Sequence, residues 1–208
     1  YTSAYWNSKM PESYFGAHIP EDGHSYAKYL ISKYIKEKNH ENLICLRIFG
    51  VFGRYEDYRY KFISNAVAKN LLGLPIVINQ NVVYDYISVD DFSRVVECLL
   101  QTKAVQPTFN VTPTESIDLI TIAELINEAS DDPVEVHVLN DGIGVEYTGD
   151  NSALLTQIGD FKFTEYAESI ATLYRYYQQN IDDLDAEALK EDAYLNYAKS
   201  LRDNFFKK

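Results

Sequence analysis

Between residues 25 and 49 the chain changes its hydrophobic period once, and that change restricts the fold more than any other feature. The run SYAKYLISKYIKEK (residues 25–38) places its apolar residues at helical spacing, whereas LICLRIF (residues 43–49) is a short β-rich run of buried-strand type. In the helix, Tyr26, Leu30 and Tyr34 form one stripe, and Ala27, Ile31 and Ile35 form a second beside it. A face this wide predicts burial on more than one side, against a sheet and another helix. A short apolar strand fed by such a helix predicts parallel pairing through a crossover, not a hairpin.

The alternation continues. Gly50 and Gly53 close the strand, and residues 58–72 read as a helix stopped by Gly73 and Pro75. Strands are expected at residues 76–78 and within 82–89, and Asp90 is expected to cap a helix ending near Gln101. A strand at residues 108–111 precedes the capping box Thr121-Ile-Ala-Glu124 and its helix to Ala129. Residues 134–139 alternate, and an acidic, glycine-bearing loop leads to a short helix near 151–158. The helix from Glu165 carries Tyr166, Ile170, Leu173, Tyr174 and Tyr177 on one face, and a charged, weakly amphipathic helix is expected over about 185–206. Strands alternating with helices define an α/β chain.

Charge narrows the function. With 31 acidic and 19 basic side chains the formal charge is −12, and no basic patch interrupts it. Such a chain repels nucleic acid and anionic lipid surfaces. No stretch approaches the roughly 18 apolar residues of a membrane span, and no signal-peptide pattern is present. Cys45 and Cys98 sit in apolar runs without metal-ligand spacing, which suits reduced core residues of a cytoplasmic protein. The chain starts at Tyr1 and its sole methionine is Met10, so it reads as the back portion of something longer.

Sites of standard pattern are missing from the sequence. Gly142-Ile-Gly144 is the lone GxG, and the third glycine of a dinucleotide fingerprint would fall on Tyr147. No P-loop lysine and no GxSxG elbow occur, and His18, His24, His40 and His137 are scattered, so no metal site is expected.

The segments YAKYLISKYI, LRIFGVFG, LLGLPIVINQN, VYDYISVDD and TFNVTPTESIDLITIAELI follow one another in that order. From about Met10 to about Asn180 this series resembles the back two-thirds of the extended short-chain dehydrogenase/reductase family. The nearest relatives within it are the nucleotide-sugar epimerases, dehydratases and 4-keto reductases. The resemblance implies the C-terminal part of a Rossmann-like parallel sheet plus the smaller substrate-binding subdomain over residues 1–180, with a helical extension over 181–208. It also implies NAD or NADP as cofactor, a nucleotide sugar as substrate, and a homodimer formed through helix 25–38.

The family's acid/base machinery is a Ser/Thr and a YxxxK pair. Tyr29-Leu-Ile-Ser-Lys33 is a literal match, but Lys33 lies only 14 residues before Arg47, too few for the helix and return turn. Lys28 lies 19 residues before it, which fits the family separation. In that register Lys28 is the catalytic and cofactor-holding lysine, His24 occupies the tyrosine position, and the Ser/Thr position, counted back from Tyr5, falls at or before Tyr1. An imidazole can exchange protons near neutral pH, so one reading of His24 is a partly competent acid/base. The other makes His24 a surface residue and Lys28 a solvated helix lysine.

On the substrate side, Gly50 stands where relatives carry Asn. Tyr84 stands where relatives often carry the Arg that clamps the diphosphate bidentately. Arg54, Arg59 and Lys61 lie near enough in sequence to take over phosphate contact, and Ile76 and Ile78 match the segment that packs on the base. Arg47 reads as an ordinary strand residue, and Asp90 and Asp91 as a helix cap or an acid pair. Tyr55, Tyr58 and Tyr60 either line a sugar pocket or pack half-buried. The chain alone is expected to be incompetent for catalysis. The alternative is a catalytically dead relative or subdomain that serves as a binding or oligomerisation module.

Overall fold

The computed structural model describes residues 6–39 and 41–205, with side chains as far as residue 200. Tyr1, Tyr5, His40 and the end of the last expected helix at residue 206 lie outside the described residues. In chain order, a short 3-10 helix (Glu12–Tyr14) precedes α1 (Gly23–Lys38), β1 (Cys45–Ile48), β2 (Gly50–Phe52) and α2 (Phe62–Leu71). Next come β3 (Ile76–Asn81), β4 (Val83–Tyr84), β5 (Tyr86–Ser88), α3 (Val89–Gln101) and β6 (Thr108–Val111). The chain continues with β7 (Ile117–Asp118), α4 (Leu119–Glu128), β8 (Val136–Ile143), α5 (Ser152–Ile158) and α6 (Tyr166–Gln179). It ends in α7 (Ala186–Glu191) and α8 (Ala193–Phe205).

These elements form two compact units. The first comprises the residues up to Val51, Tyr84–Ser116 and Val145–Phe163. Here β1 pairs with β6 in parallel, Cys45 opposite Thr108 and Ile48 opposite Val111, as the helix-then-strand order predicted. Ile87, Val95, Leu99, Phe109, Val111 and Leu154 make its core, with Leu46 and Phe161 packed against it. The second unit comprises Phe52–Val83, Ile117–Gly144 and the chain from Thr164 onward. Its β3 and β8 are also parallel, in register Ile76 with Val136 and Ile78 with Val138. Around them α2 is buried along nearly its whole length, and α4 and α6 contribute Ile122, Ile126, Ile170 and Leu173 to the core.

Several local expectations change. The helix expected over 58–72 begins only at Phe62, because residues 53–61 form a loop. Gly50 does not close the strand region but opens β2, which pairs with β5. Ser88, not Asp90, caps α3: its hydroxyl accepts the Asp91 amide at 3.1 Å, leaving Asp90 in the first turn. Asp118 rather than Thr121 caps α4, accepting the amides of Ile120 and Thr121 and the Thr121 hydroxyl. A side chain directly before the first turn reaches those amides with less strain than one inside it. The acidic loop after residue 139 is strand as far as Ile143. The last helical segment is two helices, broken where Asp192 takes a left-handed conformation with φ 50°.

The largest departure is α1. Tyr26, Leu30, Ile31 and Tyr34, from the two expected apolar stripes, are 42%, 45%, 61% and 52% exposed. The face turned inward carries Ser25, Tyr29, Ser32 and Ile35 instead. Tyr29 stacks on Phe15 at 5.2 Å, and the Ser32 hydroxyl meets the Cys45 thiol at 3.3 Å. Among the described residues the helix is covered on one side only.

Candidate functional site

The expected site residues divide between the two units, and the two sets are described separately. In the first unit, Asp22 caps α1 by accepting the Ser25 amide at 2.8 Å. That bond holds the Asp22 carboxyl below its ordinary range, with a smaller contribution from His24. His24 and Lys28 follow one turn apart, both exposed. Lys28 makes no hydrogen bond or ion pair with any described residue, whereas Lys33 of the literal YxxxK match pairs with Glu37 at 3.8 Å.

At the other expected positions of this unit the chain has built an aromatic cluster. Trp6 stacks on Tyr147 at 4.3 Å, Phe49 lies against Tyr147 at 4.7 Å, and Tyr84 meets Tyr86 at 5.5 Å. A Cβ at Gly50 would stand 2.7 Å from the Tyr86 ring, and one at Gly149 would stand 2.6 Å from the Phe49 ring. Glycine at position 50 therefore lets Tyr86 lie directly on the backbone. Arg47 is a packed strand residue, with its guanidinium 4.3 Å over the Phe15 ring. Asp91 is buried in an ion pair with Arg94 at 2.6 Å, and Asp90 is exposed, so the two do not form an acid pair.

The sequence reading missed Asp85, which lies between Tyr84 and Tyr86 and is fully buried. Its two oxygens accept the Ser116 hydroxyl at 2.5 Å and the Gly149 amide at 2.8 Å. The Lys9 ammonium stands 3.6 Å away and also donates to Ser116 and the Thr114 carbonyl. Burial pushes the Asp85 carboxyl above its ordinary range, and Ser116, Gly149 and Lys9 oppose that shift. The carboxyl thus knots three segments of the unit behind the aromatic cluster. An acid interrupting the apolar run VVYDYIS was the signal available in the sequence.

In the second unit, Arg54 and Arg59 share the loop of residues 53–61. Arg59 is held in a two-pronged pair with Asp57, Nε and Nη2 each 2.9 Å from a carboxylate oxygen. Tyr58 faces α6, edge-on to Tyr177 at 6.3 Å, and its hydroxyl accepts the Asp185 amide at 2.9 Å. Tyr55 and Tyr60 are exposed. Ile76 and Ile78 are 1% and 0% exposed, so their side chains build the core of this unit. The same loop carries Glu56, also missed, whose carboxyl accepts the Ser64 hydroxyl at 2.5 Å. Burial raises Glu56 to about 7, a shift that Ser64 and Lys61 oppose. No group of three or more His, Cys, Asp or Glu able to hold a metal ion occurs among the described residues.

With this geometry in view, residues 10–112 match the NAD dependent epimerase/dehydratase family. That stretch is an epimerase/dehydratase-family sequence. No curated protein matches the chain. Among solved structures it is similar to UDP-glucose 4-epimerase of Thermotoga maritima, determined with UDP-glucose, at 18% identity and a TM-score of 0.70; the match covers 84% of this chain and 58% of that one. It is also similar to UDP-glucuronic acid 4-epimerase of Bacillus cereus in complex with NAD, at 17% identity, TM-score 0.64, covering 86% and 60% of the two chains. A third is the dTDP-glucose 4,6-dehydratase of Bacillus anthracis in complex with NAD, at 19% identity, TM-score 0.61, covering 79% and 54%. The chain thus has the Rossmann-like α/β fold of these epimerase/dehydratase-family structures and spans about 60% of their length.

Proposed function

We propose that this chain is the substrate-side part of an NAD(P)-dependent nucleotide-sugar epimerase, dehydratase or keto reductase in which His24 replaces the acid/base tyrosine. The observation that carries the reading is the open Lys28 one turn after His24, on a helix in the family-matched stretch. A bound nicotinamide would supply hydride exchange. Of the chain's own residues, Lys28 would hold the ribose hydroxyls, and His24 would exchange a proton with a sugar hydroxyl. Arg54 and Arg59 are the cations offered to a diphosphate, and Gly50 and Tyr84 border the sugar side. Ile76 and Ile78 support the base only by holding β3 in place. Residues 181–208 are an extension to the family domain of residues 1–180.

The same reading makes this chain weak on its own. It lacks the glycine turn that brings backbone amides to a pyrophosphate. At the clamp position Tyr84 supplies at most a neutral hydrogen bond, and losing a charge-assisted contact costs about 1.5–3 kcal/mol, or one to two decades of affinity. The test is calorimetry with NAD+, NADP+, UDP-sugars and GDP-sugars. No dissociation constant below about 100 µM is expected, and one for either dinucleotide would overturn the reading. His24→Tyr is not expected to restore turnover in this chain alone.

The exposed stripe of α1 favours a second reading, an assembly module. Tyr26, Leu30, Ile31 and Tyr34 form an apolar band of the kind that a two-fold copy of the same helix covers. Sedimentation at high micromolar concentration should show a dimer for the native chain and a monomer for Ile31→Glu. A monomeric native chain would contradict it. The free, half-buried Cys45 and Cys98 suit a reducing compartment, the cytoplasm, and no helix among the described residues is long and apolar enough to cross a membrane.

A further inference from the structure

The two edges of the β3–β8 sheet are finished differently. Along β3 lies α8, where the Asn79 side-chain amide donates to the Ala198 carbonyl at 3.4 Å. β8 has β3 on one side and no described strand on the other. Its ladder to β3 uses the odd-numbered residues: the Ile76 amide donates to the Glu135 carbonyl at 2.9 Å, and Ile76 stands opposite Val136. The backbone amides and carbonyls of Val136, Val138 and Asn140 therefore point outward, and among the described residues they have no hydrogen-bond partner.

Sheets commonly blunt such an edge with Lys, Pro or a covering helix. Over residues 136–140 β8 has no Lys or Pro, and the register shift at Gln80 and Asn81 and the positive φ of Gly142 interrupt only its far end. Its apolar side chains are half-covered. Val138, on the face of the fully buried Ile78, is 40% exposed, and Leu139, on the opposite face, is 48% exposed. A strand added here covers one apolar side chain on each face. We propose that the outer edge of β8 takes up an extended peptide segment as an antiparallel third strand, apolar at its centre and cationic at both ends.

Charge selects the ends. Glu135 precedes the strand and Asp141 follows its regular part, both exposed, and Glu135 also meets His137 at 3.1 Å. Lys or Arg opposite each acid makes an opposite-charge pair across the strands. A β-branched residue opposite Val138 and a leucine opposite Leu139 fill the centre. The partner residues opposite Val136, Val138 and Asn140 exchange both backbone bonds with them. A second copy of this chain brings a net charge of −12 and the same two acids to the edge, so a basic segment fits it better. This inference uses neither α1 nor the pairing of His24 with Lys28, so it stands apart from the sugar reading.

The probe is the peptide Lys-Thr-Leu-Val-Thr-Val-Lys, capped at both ends and offered to the full chain. Hydrogen exchange followed by NMR should show the Val136, Val138 and Asn140 amides gaining at least about tenfold protection. In fluorescence polarisation, N-methylation of the first threonine and both valines of the peptide should abolish binding, because those amides face β8. N-methylation of its leucine and second threonine, whose amides face away, should leave binding intact. Exchanging both lysines of the peptide for glutamate should weaken binding at least about tenfold, and Leu139→Lys, a change at an exposed site, should weaken it too. Unchanged protection of the three amides, equal behaviour of the two N-methylated peptides, or an acidic peptide that binds as tightly would overturn the proposal. Protection that rises with protein concentration in the absence of peptide would assign the edge to a second copy and overturn it as well.

Discussion

Asp85 in the first unit and Glu56 in the second are both carboxyls whose burial raises their pKa, yet they are built in opposite ways. Asp85 has a protein donor on each oxygen and an ammonium beside it, drawn from three separate segments. Glu56 has one hydroxyl. The difference teaches that burial alone does not make a switch. What matters is whether the surrounding donors make the charged form affordable, since a carboxylate with fixed partners is a fastener and one with a single partner is a titrating group.

A third buried charge extends the fastener class and gives the largest expected effect. Lys69 on α2 is 3% exposed and donates to Asp192 at 2.5 Å, at the break between α7 and α8. Asp192→Ala strands that ammonium in the core and should cost about 3–5 kcal/mol in urea unfolding. A loss under 1 kcal/mol would mean α7 and α8 are not tied down through this pair.

Glu56→Gln should act in the opposite direction. A carboxyl whose folded pKa lies above its unfolded value gives stability that is complete below about pH 4.5 and is lost as pH rises through 7. The glutamine variant should therefore gain roughly 2–3 kcal/mol over the native chain at pH 8 and nothing at pH 4. Equal gains at both pH values would show a packing effect and no effect of charge.

Asp85→Asn keeps the shape but not the charge that Lys9 and Ser116 meet. About 2 kcal/mol should be lost at neutral pH. Because the knot lies behind the aromatic cluster, the fluorescence of Trp6, the sole tryptophan, should shift in the folded variant. Unchanged emission would separate the knot from the cluster. The smallest effect belongs to a group with no buried charge at stake: Asp118→Ala, which removes the α4 cap, should cost about 1 kcal/mol independent of pH above 5.

The contrast also marks how far the sequence could be read. The β1 and β6 segments were legible as short β-rich runs set between helical spacings, although β1 is half-buried, with Ile48 exposed and Arg47 within it, and not the fully buried strand that LICLRIF suggested. The same logic gave α6, whose inward Ile170, Leu173, Tyr174 and Tyr177 are all buried. It failed at α1, where apolar stripes meant an exposed face, since periodicity reports which residues avoid water and not whether this chain supplies the cover. Of the site, the relation of His24 to Lys28 follows from spacing on one helix. Lys69 sat in plain view at core spacing after Phe62 and Ala66. Glu56 had no signal, because RYEDYRY reads as a solvated loop until Ser64 and Tyr177, distant in sequence, are folded beside it.

The direct test of the comparison is the carboxyl titration itself. Carbon-13 NMR of the side-chain carboxyls, with Glu56 assigned by its disappearance in Glu56→Gln, should show this resonance moving with a midpoint near 7, against about 4.5 for an ordinary glutamate. A midpoint near 4.5 would contradict the account, because Ser64 alone would then be sufficient for the charge.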